Sequence, residues 1–161
     1  MINNDILRRI RYTFNFDDSK MIALFGLADH QVTREQISNW LKKDDDSAYQ
    51  KCSDTQMAIF LNGLINDKRG KKEGPQPKPE QHLTNNIIFR KLKIALNLKD
   101  KDILEIMNLA DFRMSRHELS AFFRKPAHKN YRDCKDQILR NFLKGIQLKY
   151  HHNIQSGKLE M

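Results

Sequence analysis

Asn3-Asn4-Asp5-Ile6-Leu7-Arg8-Arg9-Ile10-Arg11 opens the chain, and Asn85-Asn86-Ile87-Ile88-Phe89-Arg90-Lys91-Leu92-Lys93 opens it again. Between the two lies Asn66–Thr84, a polar, charged stretch broken by Gly70, Gly74, Pro75, Pro77 and Pro79. Phe60-Leu61-Asn62-Gly63-Leu64 returns in the same way as Phe142-Leu143-Lys144-Gly145-Ile146. The offset is 82 residues throughout and needs no gap, carrying Asn15 to Asn97, Ala28 to Ala110, Asp29 to Asp111, Tyr49 to Tyr131 and Cys52 to Cys134. The chain is thus read as residues 1–65, a linker 66–84, a second copy 85–150 and a flexible tail 151–161.

Each copy carries four helical patterns. Ile6, Leu7, Ile10 and Phe14 share one face of a helix over about Asp5–Phe14, with Asn3 and Asn4 offering N-cap oxygens. Asp17 and Asp18 precede a second helix over Ser19–Leu27. Thr33-Arg34-Glu35-Gln36 is a capping box for a third, Arg34–Lys43, which buries Ile37, Trp40 and Leu41. Ser53 or Asp54 caps a fourth, Thr55–Ile65, with Met57, Phe60, Leu61 and Leu64 inward. Ser115-Arg116-His117-Glu118 repeats the capping box. Glycine costs a helix interior about 1 kcal/mol relative to alanine. Its presence at both Gly63 and Gly145 therefore points to close approach of another backbone or to a helix end. No alternating pattern of strands occurs, so the fold class is all-α. A copy of about 60 residues buries too little surface to be more than marginally stable alone. The two four-helix repeats are expected to pack together with pseudo-twofold symmetry.

Composition excludes several functions. No apolar run approaches the roughly 18–20 residues that span a bilayer, and the charged N-terminal helix is not a signal sequence. Two cysteines, Cys52 and Cys134, suit a reducing compartment, so a cytoplasmic protein is expected. The formal charge of +9 is uneven. Residues 1–65 hold eight basic and nine acidic side chains, whereas 85–150 hold fifteen and seven. A basic second repeat attracts polyanions: an acidic protein surface or nucleic acid.

The Asn-Asn-x-Ile-x-Arg start, the Thr33–Lys43 helix with its acidic turn, Tyr49-x-x-Cys52, and Phe60–Ile65 followed by Lys68-Arg69-Gly70-Lys71 resemble the YehS-like family. The resemblance covers about Asn3–Tyr150. It implies a small bacterial cytosolic protein with a duplicated domain of unknown function, and it supplies no catalytic residues, cofactor or partner.

No motif carries catalytic chemistry. Arg69-Gly70-Lys71-Lys72-Glu73-Gly74 lacks the spacing and the strand–helix setting of a phosphate loop. Cys52 and Cys134 are lone residues without metal-ligand spacing, and a twofold axis leaves open their meeting. His151-His152 reads as an adventitious pair. The acids Asp44-Asp45-Asp46 are replaced in the second copy by Pro126-Ala127-His128, and His117 and His128 occur in that copy only. The expectation is a non-enzymatic regulator or adaptor without cofactor or metal, acting as a protein-interaction module. The alternative is nucleic-acid binding through a helix-turn-helix-like element, the second and third helices, in the basic repeat. Its Gly26–Val32 connection in the first copy is longer than the usual tight turn. In either case the expected contacts are Arg113, Arg116, Arg124, Lys125, Lys129 and Arg132.

Overall fold

The two copies fold alike because the same residues perform the same local task in each. The computed structural model describes residues 1–151. Among them are eight α-helices and no strand: α1 Asn3–Phe14, α2 Asp18–Leu27, α3 Arg34–Leu41, α4 Asp54–Arg69, α5 Asn85–Ala95, α6 Asp100–Leu109, α7 Arg116–Ala121 and α8 Asp136–Ile146. A π-helical turn, Gln147–His151, continues α8. Both capping boxes are present, on Thr33 with Gln36 and on Ser115 with Glu118, and Ser53 with Gln56 forms a third. The described residues with positive φ other than glycine are Asn15, Asn97, Asp29 and Asp111, two pairs at equivalent positions (φ 54° to 59°). Asn and Asp tolerate the left-handed region, and here they turn the chain after α1, α2, α5 and α6.

Asn3 and Asn4 are not N-caps. Ile2 holds the cap position of α1, with no side-chain bond. Asn4 is fully buried and works at long range: its amide donates to Trp40 O (2.9 Å) and Gln50 O (2.8 Å), and its Oδ1 accepts from Cys52 N (2.9 Å). It thereby satisfies a carbonyl of the last turn of α3 that has no intrahelical partner. Asn86 repeats all three bonds, to Phe122 O, Arg132 O and Cys134 N. Asn3 donates to Cys52 O and Asp54, as Asn85 does to Cys134 O and Asp136. These clamps bind the first helix of each copy to the segment that leads into its fourth.

Three helix ends depart from the expected ones. α3 stops at Leu41, because Lys42 is extended (φ −69°, ψ 160°) and its carbonyl accepts from Arg8 Nη2. α7 stops at Ala121, a few residues before Pro126, whose ring excludes helical backbone at its predecessor. α4 runs on to Arg69, past the residue 66 boundary, anchored by Asn66 donating to Leu27 O (2.8 Å). The tail expected from residue 151 lies, from residue 152 on, outside the described residues.

Gly63 and Gly145 sit where two helix backbones approach closely. A Cβ on Gly63 would lie 1.8 Å from Leu24 O, and one on Gly145 2.2 Å from Ile106 O. So α4 rests directly on α2, and α8 on α6. Phe25, Trp40 and Phe60 cluster in the first copy, and Phe89, Phe122 and Phe142 in the second. One hydrophobic core joins both. Across the seam α4 packs on α5, while α8 and its π-turn pack on α1. Moving α4 forward by 82 residues and α5 back by 82 turns the first contact into the second, which is the pseudo-twofold relation.

Candidate functional site

The six expected basic residues sit on α7 and the two loops beside it. Arg113 lies in the loop before the helix, and Arg116 is its first residue. Arg124, Lys125, Lys129 and Arg132 lie on the loop that follows. Arg124 is half-buried and the other five are exposed. Backbone bonds fix this loop: His128 N to Lys125 O (2.9 Å), Tyr131 N to His128 O (3.0 Å) and Arg132 N to Ala121 O (3.2 Å). The last of these and the Asn86 clamp tie the loop to the end of α7. Among the described residues none of the six forms an ion pair with a carboxylate, and the Arg132 guanidinium donates to the Tyr131 carbonyl.

The equivalent loop of the first copy keeps the backbone and loses the charge. Asp46 N to Lys43 O, Tyr49 N to Asp46 O and Gln50 N to Asn39 O reproduce the three bonds. Residues 113–135 hold seven basic and two acidic side chains, but residues 31–53 hold four of each. Arg34, the counterpart of Arg116, pairs with Asp18 (3.2 Å).

A groove of about 490 Å³ runs between α7, its following loop and the start of α8. His117, Glu118, Arg132, Asp133 and Lys135 give it a mixed rim, and Phe122 and Ile138 an apolar floor. Glu118 is held below the usual carboxylate range by its capping bonds to Ser115. His128 Nδ1 accepts from Asn130 N (3.0 Å), so that histidine shapes the loop. The six side chains do not lie on one recognition helix: α7 is six residues long, and four of the six are on the loop after it.

Each thiol is enclosed in its own copy. Cys52 and Cys134 are buried and unpaired, and burial raises each from 9.0 to about 12. Among the described residues, no group of three His, Cys, Asp or Glu could hold a metal ion. His151 stacks on Tyr12, with ring centroids 4.3 Å apart. No helix among the described residues is long and apolar enough to cross a membrane.

A second groove, about 580 Å³, opens at the seam between the copies, where α1 meets α8. Met1, Asp5, Arg8, Arg9, Tyr12, Arg140 and Gln147 line it. Arg8 and Arg9 lie off the apolar stripe of Ile6, Leu7, Ile10 and Phe14, so their spacing alone gives them no role. The signal that could have drawn attention is their meeting, across the twofold, with Arg140 of the other copy.

An all-helical body built from two copies of one repeat, closed by the same contact twice, defines a tandem-duplicated helical protein. The chain belongs to the family described as "Protein of unknown function (DUF1456)", which matches residues 3–70 and again 85–151. It is similar to the uncharacterized protein YehS of Escherichia coli (strain K12), 44% identical over 152 residues that cover 94% of this chain and 97% of that one. No solved structure matches.

Proposed function

We propose that the protein is a non-enzymatic adaptor of the cytosol whose second repeat binds an acidic protein surface through Arg113, Arg116, Arg124, Lys125, Lys129 and Arg132. One observation carries this reading. The same loop and helix occur twice, and only the second copy is strongly basic. The fold therefore does not require the charge, so a task outside the fold accounts for it. Guanidinium and ammonium groups without an ion pair, five of the six exposed, are available to meet carboxylates. The shortness of α7 and the placement of four basic residues on a loop favour a protein surface over a groove-reading helix. The enclosed thiols fit a reducing compartment.

The test compares the wild-type chain with a variant carrying Arg116→Ala, Arg124→Ala and Lys125→Ala. Each is immobilised and used to capture partners from cytosol, in parallel with titrations of duplex and single-stranded DNA and RNA at low and moderate salt. A protein retained by the wild type and lost by the variant supports the reading. Salt-sensitive nucleic-acid binding that depends on the three residues would replace it with nucleic-acid binding. Equal capture by both chains would refute it.

A further inference from the structure

The seam has two sides, and among the described residues only one is covered by a non-helical segment of the chain. On the covered side, between α4 and α5, the linker crosses without helix or strand, with Pro75, Pro77 and Pro79 limiting its backbone freedom. Glu80 pairs with Lys91 (3.0 Å), Gln76 bonds Asn66, and Leu83 N donates to Asp54 Oδ2 (2.9 Å). Lys91 is only 12% exposed there.

On the opposite side the twofold places Arg9 where Lys91 stands, Tyr12 where Ile94 stands and Gln147 where Ile65 stands. The α-ammonium of Met1 takes the place of Leu83 N and binds Asp136 Oδ2 (2.7 Å). Arg140 replaces Ala58, and the exposed Lys144 replaces Asn62, whose side chain accepts from Lys91. Arg8 is engaged by Asp5 (3.2 Å) and the Lys42 carbonyl. Arg9 donates to the Arg140 carbonyl (3.3 Å), and among the described residues neither Arg9 nor Arg140 closes an ion pair, although Arg140 lies near enough to Asp136 to help hold that carboxylate down. The covered twin thus shows what this surface accommodates, and the substitutions make the open side more cationic.

We infer that the groove between α1 and α8 is a binding site for an extended acidic peptide segment of a partner protein. The segment lies as the linker lies in the twin groove and sets a glutamate or aspartate against Arg9 and Arg140, with Tyr12 beside its backbone. This site is separate from the α7 loop and does not rest on the function proposed for it.

The probe is a fluorescein-labelled peptide of alternating proline and glutamate, titrated by anisotropy against the full chain, with the proline–glutamine peptide as control. The expected result is saturable binding of the acidic peptide only. It should weaken about tenfold or more in Arg9→Glu/Arg140→Glu and be unchanged in the α7-loop triple variant, since each charge-assisted pair is geometrically specific. Arg140 is exposed, so Arg140→Glu alone serves if the double variant does not fold. Four results would overturn the inference. They are absence of binding, binding lost only in the α7 variant, preference for duplex DNA at these arginines, and binding that appears only once Glu160→Lys is introduced. The last would assign the groove to the chain's own C-terminal segment.

Discussion

Gly63→Ala sets two effects of opposite sign against each other. In a helix interior the change is favourable by about 1 kcal/mol, because glycine sacrifices more backbone freedom. In this fold the new Cβ would lie 1.8 Å from the Leu24 carbonyl oxygen, and real Cβ contacts stay above 3.0 Å. That oxygen belongs to helix backbone and cannot rotate away, so α2 and α4 must part by about 1.2 Å, the difference between those distances. Met21, Leu24 and Phe25 then lose contact with Phe60, Leu61 and Leu64, all buried. Overpacking of this kind costs about 1–3 kcal/mol, and rigid backbone places it at the upper end. The net expectation is a loss of about 2 kcal/mol, read as a lower urea midpoint at constant slope and a melting temperature about 5 °C lower. Gly26→Ala is the matched control: it too lies in a helix, but nothing stands within 4 Å of its Cβ, so it should gain up to about 1 kcal/mol. If Gly63→Ala proves as stable as wild type while Gly26→Ala behaves as stated, the close-contact reasoning is refuted.

Asn4→Ala and Asn86→Ala should each cost about 3 kcal/mol or more, because each strands buried backbone partners as well as losing three hydrogen bonds. Urea melts against exposed Asn108→Ala, expected within about 0.5 kcal/mol of wild type, measure this. Cys52 and Cys134 should resist an aromatic disulfide reagent in the native chain and react at once in guanidinium, since burial holds both as thiols. Their pKa is raised from 9.0 to about 12 on folding, so the native state holds the extra protons. That stability is whole below pH 9.0 and falls as pH rises toward about 12, where Cys52→Ser/Cys134→Ser should lose less than wild type in a pH-dependent melt.

The helices, their caps and the duplication were legible because they are written in short-range spacing: Thr33 to Gln36, Ser115 to Glu118, the apolar stripe from Ile6 to Phe14. Gly63 was legible for a different reason, since a residue that is poor for a helix recurred at Gly145. Asn4 was misread because a local rule offers Asn as a cap, whereas its actual partners lie 36, 46 and 48 residues away. Its recurrence as Asn86 marked it as constrained without saying by what. The basic cluster around α7 was visible as charge. That it spans a loop was not, because the helix end depends on carbonyls claimed by Asn86 and on Pro126. The groove at α1 and α8 needed the twofold itself, since Arg9 and Arg140 are neighbours only across it.

The repeats meet as α4 on α5 and as α8 on α1, so each uses one patch of its surface to embrace the same patch of the other. Such a union is isologous, like that of a twofold dimer, and it is complete at two members. Helical arrays that stack head to tail leave a growing end and can lengthen by adding units. This architecture has no growing end. A third copy of the repeat would find its mating surface already occupied, so the duplication yields a finished pair rather than the start of a solenoid.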